Sequence, residues 1–331
     1  MVLTKFDAVY ERIRKSAQIV SDKGLKHLCF EAMATRCKVS VAGASDRMVA
    51  DFSERLIHWI SAFEAKYSRF IPESLIGEIN RNAGIDWVEI DRETERIFNL
   101  CSEFHFLTKG VFDPSALPLI RLWNWKSKTP LVPRDAEIIQ ARELVGWNKI
   151  QRRSGGIFLP RTGMSIDLGG MGKEYAVDVT AELALQADIS NALIDFGQDV
   201  RVIGLPPNKP AWHIGLENPA SPGECWAGIA ANDCAIASSG DYLRYFHHHG
   251  HRYGHILDVR TGYPVDNSNR GVTVMAPSCT SAGILATASF VLGPPEGLDL
   301  VESVFGAEGS IITTSNQYQT RRFNDYVVSS A

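Results

Sequence analysis

Candidate strands in this chain gather in groups between helices instead of alternating with them one for one, and that grouping narrows the fold more than any other feature. A strict strand–helix alternation predicts a parallel sheet, whereas strands in runs predict α+β with largely antiparallel sheets flanked by helices. Short apolar or alternating runs predict strands at 38–41, 157–160, 165–168, 192–196, 201–204, 213–216, 227–231, 272–276 and 309–313. A hairpin-like segment lies between 234–238 and 254–258. Helices are predicted at 46–66, 92–107, 135–144, 175–186, 281–292 and 298–305, with a helical turn at 76–80. The first is the clearest: Phe52, Leu56, Ile57, Ile60 and Phe63 recur at helical spacing behind Ser45 or Asp46 as a cap. Residues 1–28 read as an amphipathic helical extension, 29–315 as the main domain, and 316–331 as a C-terminal tail. The segment 126–134, with its prolines and lysines, reads as a flexible surface insertion.

Composition removes several classes of function. Charged residues make up 22% and the net charge is -4, so no basic footprint for nucleic acid is present. No run of about 18 apolar residues predicts a membrane-spanning helix, and residues 1–28 lack the uninterrupted apolar stretch of a secretory signal. Cys29, Cys37, Cys101, Cys225, Cys234 and Cys279 are scattered and form no CxxC pair. They read as reduced thiols in a cytoplasmic protein.

The stretch Asp167-Leu168-Gly169-Gly170-Met171-Gly172-Lys173 is where chemistry is first expected. An apolar run ends on a carboxylate, meets glycines that allow a ligand close to the backbone, and is followed by a lysine. Free N–H groups at such a turn, or at the start of the next helix, attract anionic oxygens. Many ordinary strand–turn–helix junctions look the same, so the neighbouring motifs decide. Four segments add to it: Phe112-Asp113-Pro114-Ser115; 195–201; Ser239-Gly240-Asp241-Tyr242; and 255–264, which reads His-Ile-Leu-Asp-Val-Arg-Thr-Gly-Tyr-Pro. Each sets a carboxylate beside a glycine or proline turn, which alone is usually an Asx-turn or a cap. Together they predict a nucleotide site with a hard divalent cation, since such cations take oxygen ligands.

In content and order these segments resemble the ApbE-type FAD:protein FMN transferases, from about Phe30 to Leu298. The resemblance also takes in Met33-Ala34-Thr35 and Tyr67-Ser68-Arg69-Phe70 with Asn80. It implies a two-lobed α+β fold with the flavin site between the lobes. It implies FAD as substrate, Mg²⁺ as cofactor, and transfer of FMN to a threonine or serine hydroxyl of an acceptor protein with release of AMP. Carried over by position, His255 is the expected general base. Met33, Tyr67, Asp113, Gly170, Lys173, Ser239 and Asp241 are expected with it around FAD, and Gly172 and Thr287 at the cation. Many relatives are exported lipoproteins; with no lipobox or signal in view, a cytoplasmic acceptor is expected here.

One departure bears on the cation. The family helix usually reads Ala-Asp-Ala-x-Ala-Thr, its aspartate a metal ligand, and this chain has Gly283 at that aspartate. Thr287, four residues on, keeps the same helical face. Smaller departures are Ala34 for glycine, Asp195 for asparagine, Gln198 for glycine and Val259 for proline. Asp195 is one candidate to restore the missing charge. The alternatives to transfer are an FAD-binding relative that transfers poorly for want of the aspartate, and an FAD pyrophosphate hydrolase. The run His247-His248-His249-Gly250-His251 reads as an exposed hairpin tip in preference to a metal site.

Overall fold

The computed structural model describes residues 4–125, 127, 129–242 and 244–328. Its frame is a nine-stranded sheet: β1 (Gln18–Asp22), β2 (Leu25–Ala32), β3 (Thr35–Ala42), β4 (Ala192–Phe196), β5 (Asp199–Ile203), β6 (Ala235–Gly240), β7 (Asn269–Ala276), β8 (Glu308–Thr313) and β9 (Gln317–Gln319). Spatial order follows chain order and every pairing is antiparallel. The α+β expectation with antiparallel sheets therefore holds.

A sequential antiparallel meander has a simple consequence. Alternate connections leave the sheet at the same end. The β2–β3 turn, the β4–β5 turn and the β6–β7 link thus emerge together, although the chain separates them widely. The other end carries the β3–β4, β5–β6 and β7–β8 links.

Four helices position the site. α1 (Lys5–Ser16) is held by a capping box between Thr4 and Asp7. α2 (Asp46–Tyr67) is capped by Ser45, whose Oγ accepts from the Met48 N–H. α3 (Gly172–Gln186) and α4 (Cys279–Leu292) pack on each other and on the central strands. The α2 residues predicted to face inward are fully or nearly buried: Phe52, Leu56 and Ile60 are 0% exposed. They join Val39, Ile194, Val274 and Ala286 in the main core between sheet and helices. A second core lies among α2, the helices Leu75–Arg81 and Arg92–Leu107, and a small three-stranded sheet.

Some expectations need correction. The helix predicted over 1–28 ends at Ser16, because 18–22 and 25–32 pair as a hairpin on the sheet edge. Residues 165–168 form no strand; their backbone is spent on contacts to Asn80 and Pro114. Within the segment read as a C-terminal tail, 317–319 is β9, Phe323 is 0% exposed, and 327–328 pairs with the strand Ser221–Ala231. In the predicted insertion 126–134, Lys126 and Lys128 lie outside the described residues.

Candidate active site

The β2–β3 turn is two residues long, and both adopt positive φ, Met33 at 50° and Ala34 at 57°. Such a turn matches the twist of the strands it joins. Holding alanine there costs about 1 kcal/mol relative to glycine. The Met33 N–H donates to Glu64 Oε2 at 2.8 Å, and its side chain packs against both cores. At the neighbouring β4–β5 turn, Asp195 Oδ1 accepts from the Gln198 N–H at 2.8 Å. Asp199, buried at the start of β5, pairs with Lys173 from the first turn of α3.

The glycine-rich segment bends directly into α3. The Gly172 N–H donates to Leu168 O at 2.6 Å, while Met171 at the N-cap offers no side-chain hydrogen bond. The first turn of α3 therefore keeps N–H groups for an outside acceptor. Gly169 and Gly170 are exposed. A Cβ on Gly170 would rest 3.5 Å from the Phe112 ring, an ordinary contact, so packing within the protein does not demand glycine there. Asp167 folds back, accepting from the Gly169 N–H at 3.1 Å and pairing with Arg69 at 2.9 Å. Burial pushes its carboxyl pKa up, against the pull of Arg69.

α3 and α4 run antiparallel in a fixed register. Asp178 of α3 accepts from the Cys279 and Thr280 N–H groups at 2.8 and 2.9 Å, capping α4, and also meets Arg201. One turn toward the start of α3, Glu174 lies against Gly283: a Cβ added at Gly283 would stand 2.6 Å from Glu174 Cγ and 3.1 Å from its Oε1. One turn further along α4 lies Thr287. Thr287 Oγ1 and Ser239 Oγ, from the end of β6, are 2.8 Å apart.

The β6–β7 link begins with Asp241, 3% exposed. Arg252 grips its Oδ2 and main-chain oxygen, while Oδ1 is buried without a hydrogen-bond partner. Gly254 permits this closeness, since a Cβ there would stand 2.7 Å from Asp241 Oδ2. His255 follows. Its main-chain N–H donates to Arg244 O at 3.0 Å, and its buried Nδ1 has no partner. Burial, and then the nearby Arg244 charge, lower the imidazole pKa below 6.5, opposed only in part by the Arg244 backbone and then by Asp241.

The structure thus brings Met33, Lys173, Gly170, Gly172, Ser239, Asp241, His255 and Thr287 to the elements that converge on one end of the sheet. Two expected residues are committed elsewhere. Tyr67 is 4% exposed, and its hydroxyl meets Thr94 Oγ1 at 2.9 Å and donates to Glu93 Oε2 at 3.1 Å. Asp113 receives the Ser115 N–H and hydroxyl on Oδ1 and the Trp147 N–H on Oδ2, which lies 3.6 Å from His105 Nδ1. Both brace the segments that carry them. Asp195 closes its own turn, which speaks against it as the compensating carboxylate. The histidine run forms a hairpin, 245–248 with 251–254, turning at His249 and Gly250. Among the described residues no three His, Cys, Asp or Glu groups cluster as a metal site. Sequence reasoning missed Glu174, Asp178 and the Lys173–Asp199 pair. An acid in a first helical turn is ordinarily read as complementing the helix dipole, which hid Glu174.

The ApbE family model matches residues 33–310 of the chain. A FAD:protein FMN transferase of Haemophilus influenzae is 29% identical over 268 residues, covering 78% of this chain and 77% of that protein. Another of that name from Treponema pallidum is 28% identical over 299 residues, covering 85% and 82%. Among solved structures, an ApbE protein from Thermotoga maritima aligns with a TM-score of 0.82 at 30% identity, over 91% of this chain and 99% of that one. Matched along most of its length in both sequence and fold, this chain belongs to the ApbE family.

Proposed function

We propose that this protein transfers the FMN half of FAD to a threonine or serine hydroxyl of an acceptor protein, with AMP released. The new bond joins the hydroxyl oxygen to the FMN phosphorus, the pyrophosphate bond breaks, and the hydroxyl proton passes to His255. The observation that carries this reading is the state of His255: a shielded, unpartnered ring nitrogen with a lowered pKa is a neutral base at physiological pH. The name shared by the curated relatives supports the substrate and the acceptor chemistry.

The remaining residues bind and orient. The uncapped start of α3 and the exposed Gly169 and Gly170 suit the bridging phosphates. Lys173, anchored on Asp199, adds positive charge beside them. Asp241 Oδ1, buried and free, is positioned to accept from a ring N–H of FAD. Ser239 lies at the end of the same strand. The residues also fit Mg²⁺. Glu174 Oε2 is a buried oxygen with no partner, and Thr287 and the Gly172 carbonyl add hard oxygen donors. When bound, the cation neutralises charge that builds on the transferring phosphate.

Six free thiols, with burial raising Cys37 to about 12, suit a reducing compartment and a cytoplasmic acceptor. No helix among the described residues is long and apolar enough to cross a membrane. The test mixes protein, FAD, Mg²⁺ and an acceptor bearing a threonine-containing peptide. A fluorescent acceptor band that survives denaturation is the expected result. AMP and free FMN without that band identify hydrolysis, and bound FAD with neither product identifies a binding protein.

A further inference from the structure

We propose that Glu174 supplies the carboxylate ligand of the divalent cation in this protein, reaching from α3 into the space that Gly283 leaves open on α4. This rests on the flavin-transfer reading above. Glu174 is 9% exposed, and its Oε2 has no hydrogen-bond partner. Leaving a carboxylate oxygen buried and unpaired costs several kcal/mol, on the order of the desolvation penalty of an ion. Among the described residues Glu174 forms no ion pair, and the nearby cations have carboxylate partners of their own, Lys173 in Asp199 and Arg201 in Asp178. Oxygen donors on the neighbouring elements are the Ser239–Thr287 hydroxyl pair, with Thr287 one helical turn beyond Gly283, and the main-chain carbonyl of Gly172, two residues before Glu174. A buried carboxylate oxygen that no hydrogen bond satisfies, with oxygen donors on the neighbouring elements, is chemistry for a hard divalent cation.

The contact with Gly283 decides which helix provides the charge. A Cβ at 283 would stand 2.6 Å from Glu174 Cγ, so a side chain there displaces Glu174 from the position it now holds. The aspartate of relatives and the glutamate of this chain compete for one volume, and here α3 fills it. Glu174 also lies in the first turn of the helix whose start would face a diphosphate. Two anions meeting there repel unless a cation lies between them.

The test uses Mn²⁺ as a spectroscopic stand-in for Mg²⁺, titrated into the FAD-loaded protein and followed by loss of the free-ion EPR signal. Glu174→Gln keeps the shape and removes the charge. It is expected to weaken Mn²⁺ binding by about tenfold or more, the scale seen when metal sites lose a supporting group. Flavin affinity without metal should not fall, since the variant removes an anion that faces the diphosphate. The double variant Glu174→Gly with Gly283→Asp returns the carboxylate from α4 and is expected to restore Mn²⁺ binding. Unchanged Mn²⁺ affinity in Glu174→Gln overturns the inference while the flavin reading stands. Uptake of FAD by the unmutated protein with no Mn²⁺ uptake overturns it as well. Failure of the unmutated protein to bind either FAD or Mn²⁺ removes both readings.

Discussion

His255 shows how one buried ring can be made ready for a proton. Burial and Arg244 both favour its neutral form, so the base is available at a lower pH than an ordinary histidine allows. The kcat/KM profile should therefore rise with pH through an inflection below 6.5; an inflection at or above 6.5 would contradict the assignment. His255→Ala is expected to lower kcat by about 10²–10⁴-fold while FAD binding, read by flavin fluorescence, persists. The same shift affects stability. Between the lowered native pKa and 6.5 the unfolded chain binds the extra proton, so the fold loses stability as pH falls through that window. At this scale the sequence was informative where a residue sat in a distinctive motif, as His255 and Lys173 do. It was silent where two positions far apart meet: Gly283 was legible as a gap, but Glu174 as its occupant required the packing of two helices.

The decisive element contacts are the α3–α4 register and the close approach of Gly254 to Asp241. Asp178 holds the start of α4 with two backbone hydrogen bonds and pairs with Arg201. Asp178→Ala removes these and leaves Arg201 without its carboxylate. It is expected to cost about 3 kcal/mol or more in urea unfolding, as breaking a buried charge pair does. Gly254→Ala forces a Cβ against Asp241 Oδ2, so FAD affinity should fall although no side chain is lost; an unchanged dissociation constant by calorimetry would detach Asp241 from the ligand. Helix 92–107 was readable to its ends, and in the structure Asp91 caps it, its Oδ1 accepting from the Thr94 N–H, while Ile97, Phe98 and Cys101 are buried. The 1–28 reading failed beyond Ser16, because hairpin pairing at the sheet edge overrode a mixed pattern that periodicity could not separate.

For the molecule as a whole, the meander explains why segments scattered from Met33 to Thr287 come together at one end of the sheet. That convergence was invisible in sequence, where strand order is not written; only the grouping of strands, hence the antiparallel class, was. The C-terminal segment is part of the frame. Phe323 packs in the apolar layer between the main sheet and the strands 212–218 and 221–231, so Phe323→Ala is expected to cost about 3–5 kcal/mol by denaturant unfolding. The central claim is that this assembled end of the sheet moves FMN onto a protein hydroxyl. Intact mass spectrometry of a threonine-bearing acceptor, after incubation with this protein, FAD and Mg²⁺, measures that directly. One added FMN phosphoester per acceptor with an equal amount of AMP is the predicted result; an acceptor of unchanged mass, with FAD bound or merely hydrolysed, would contradict it.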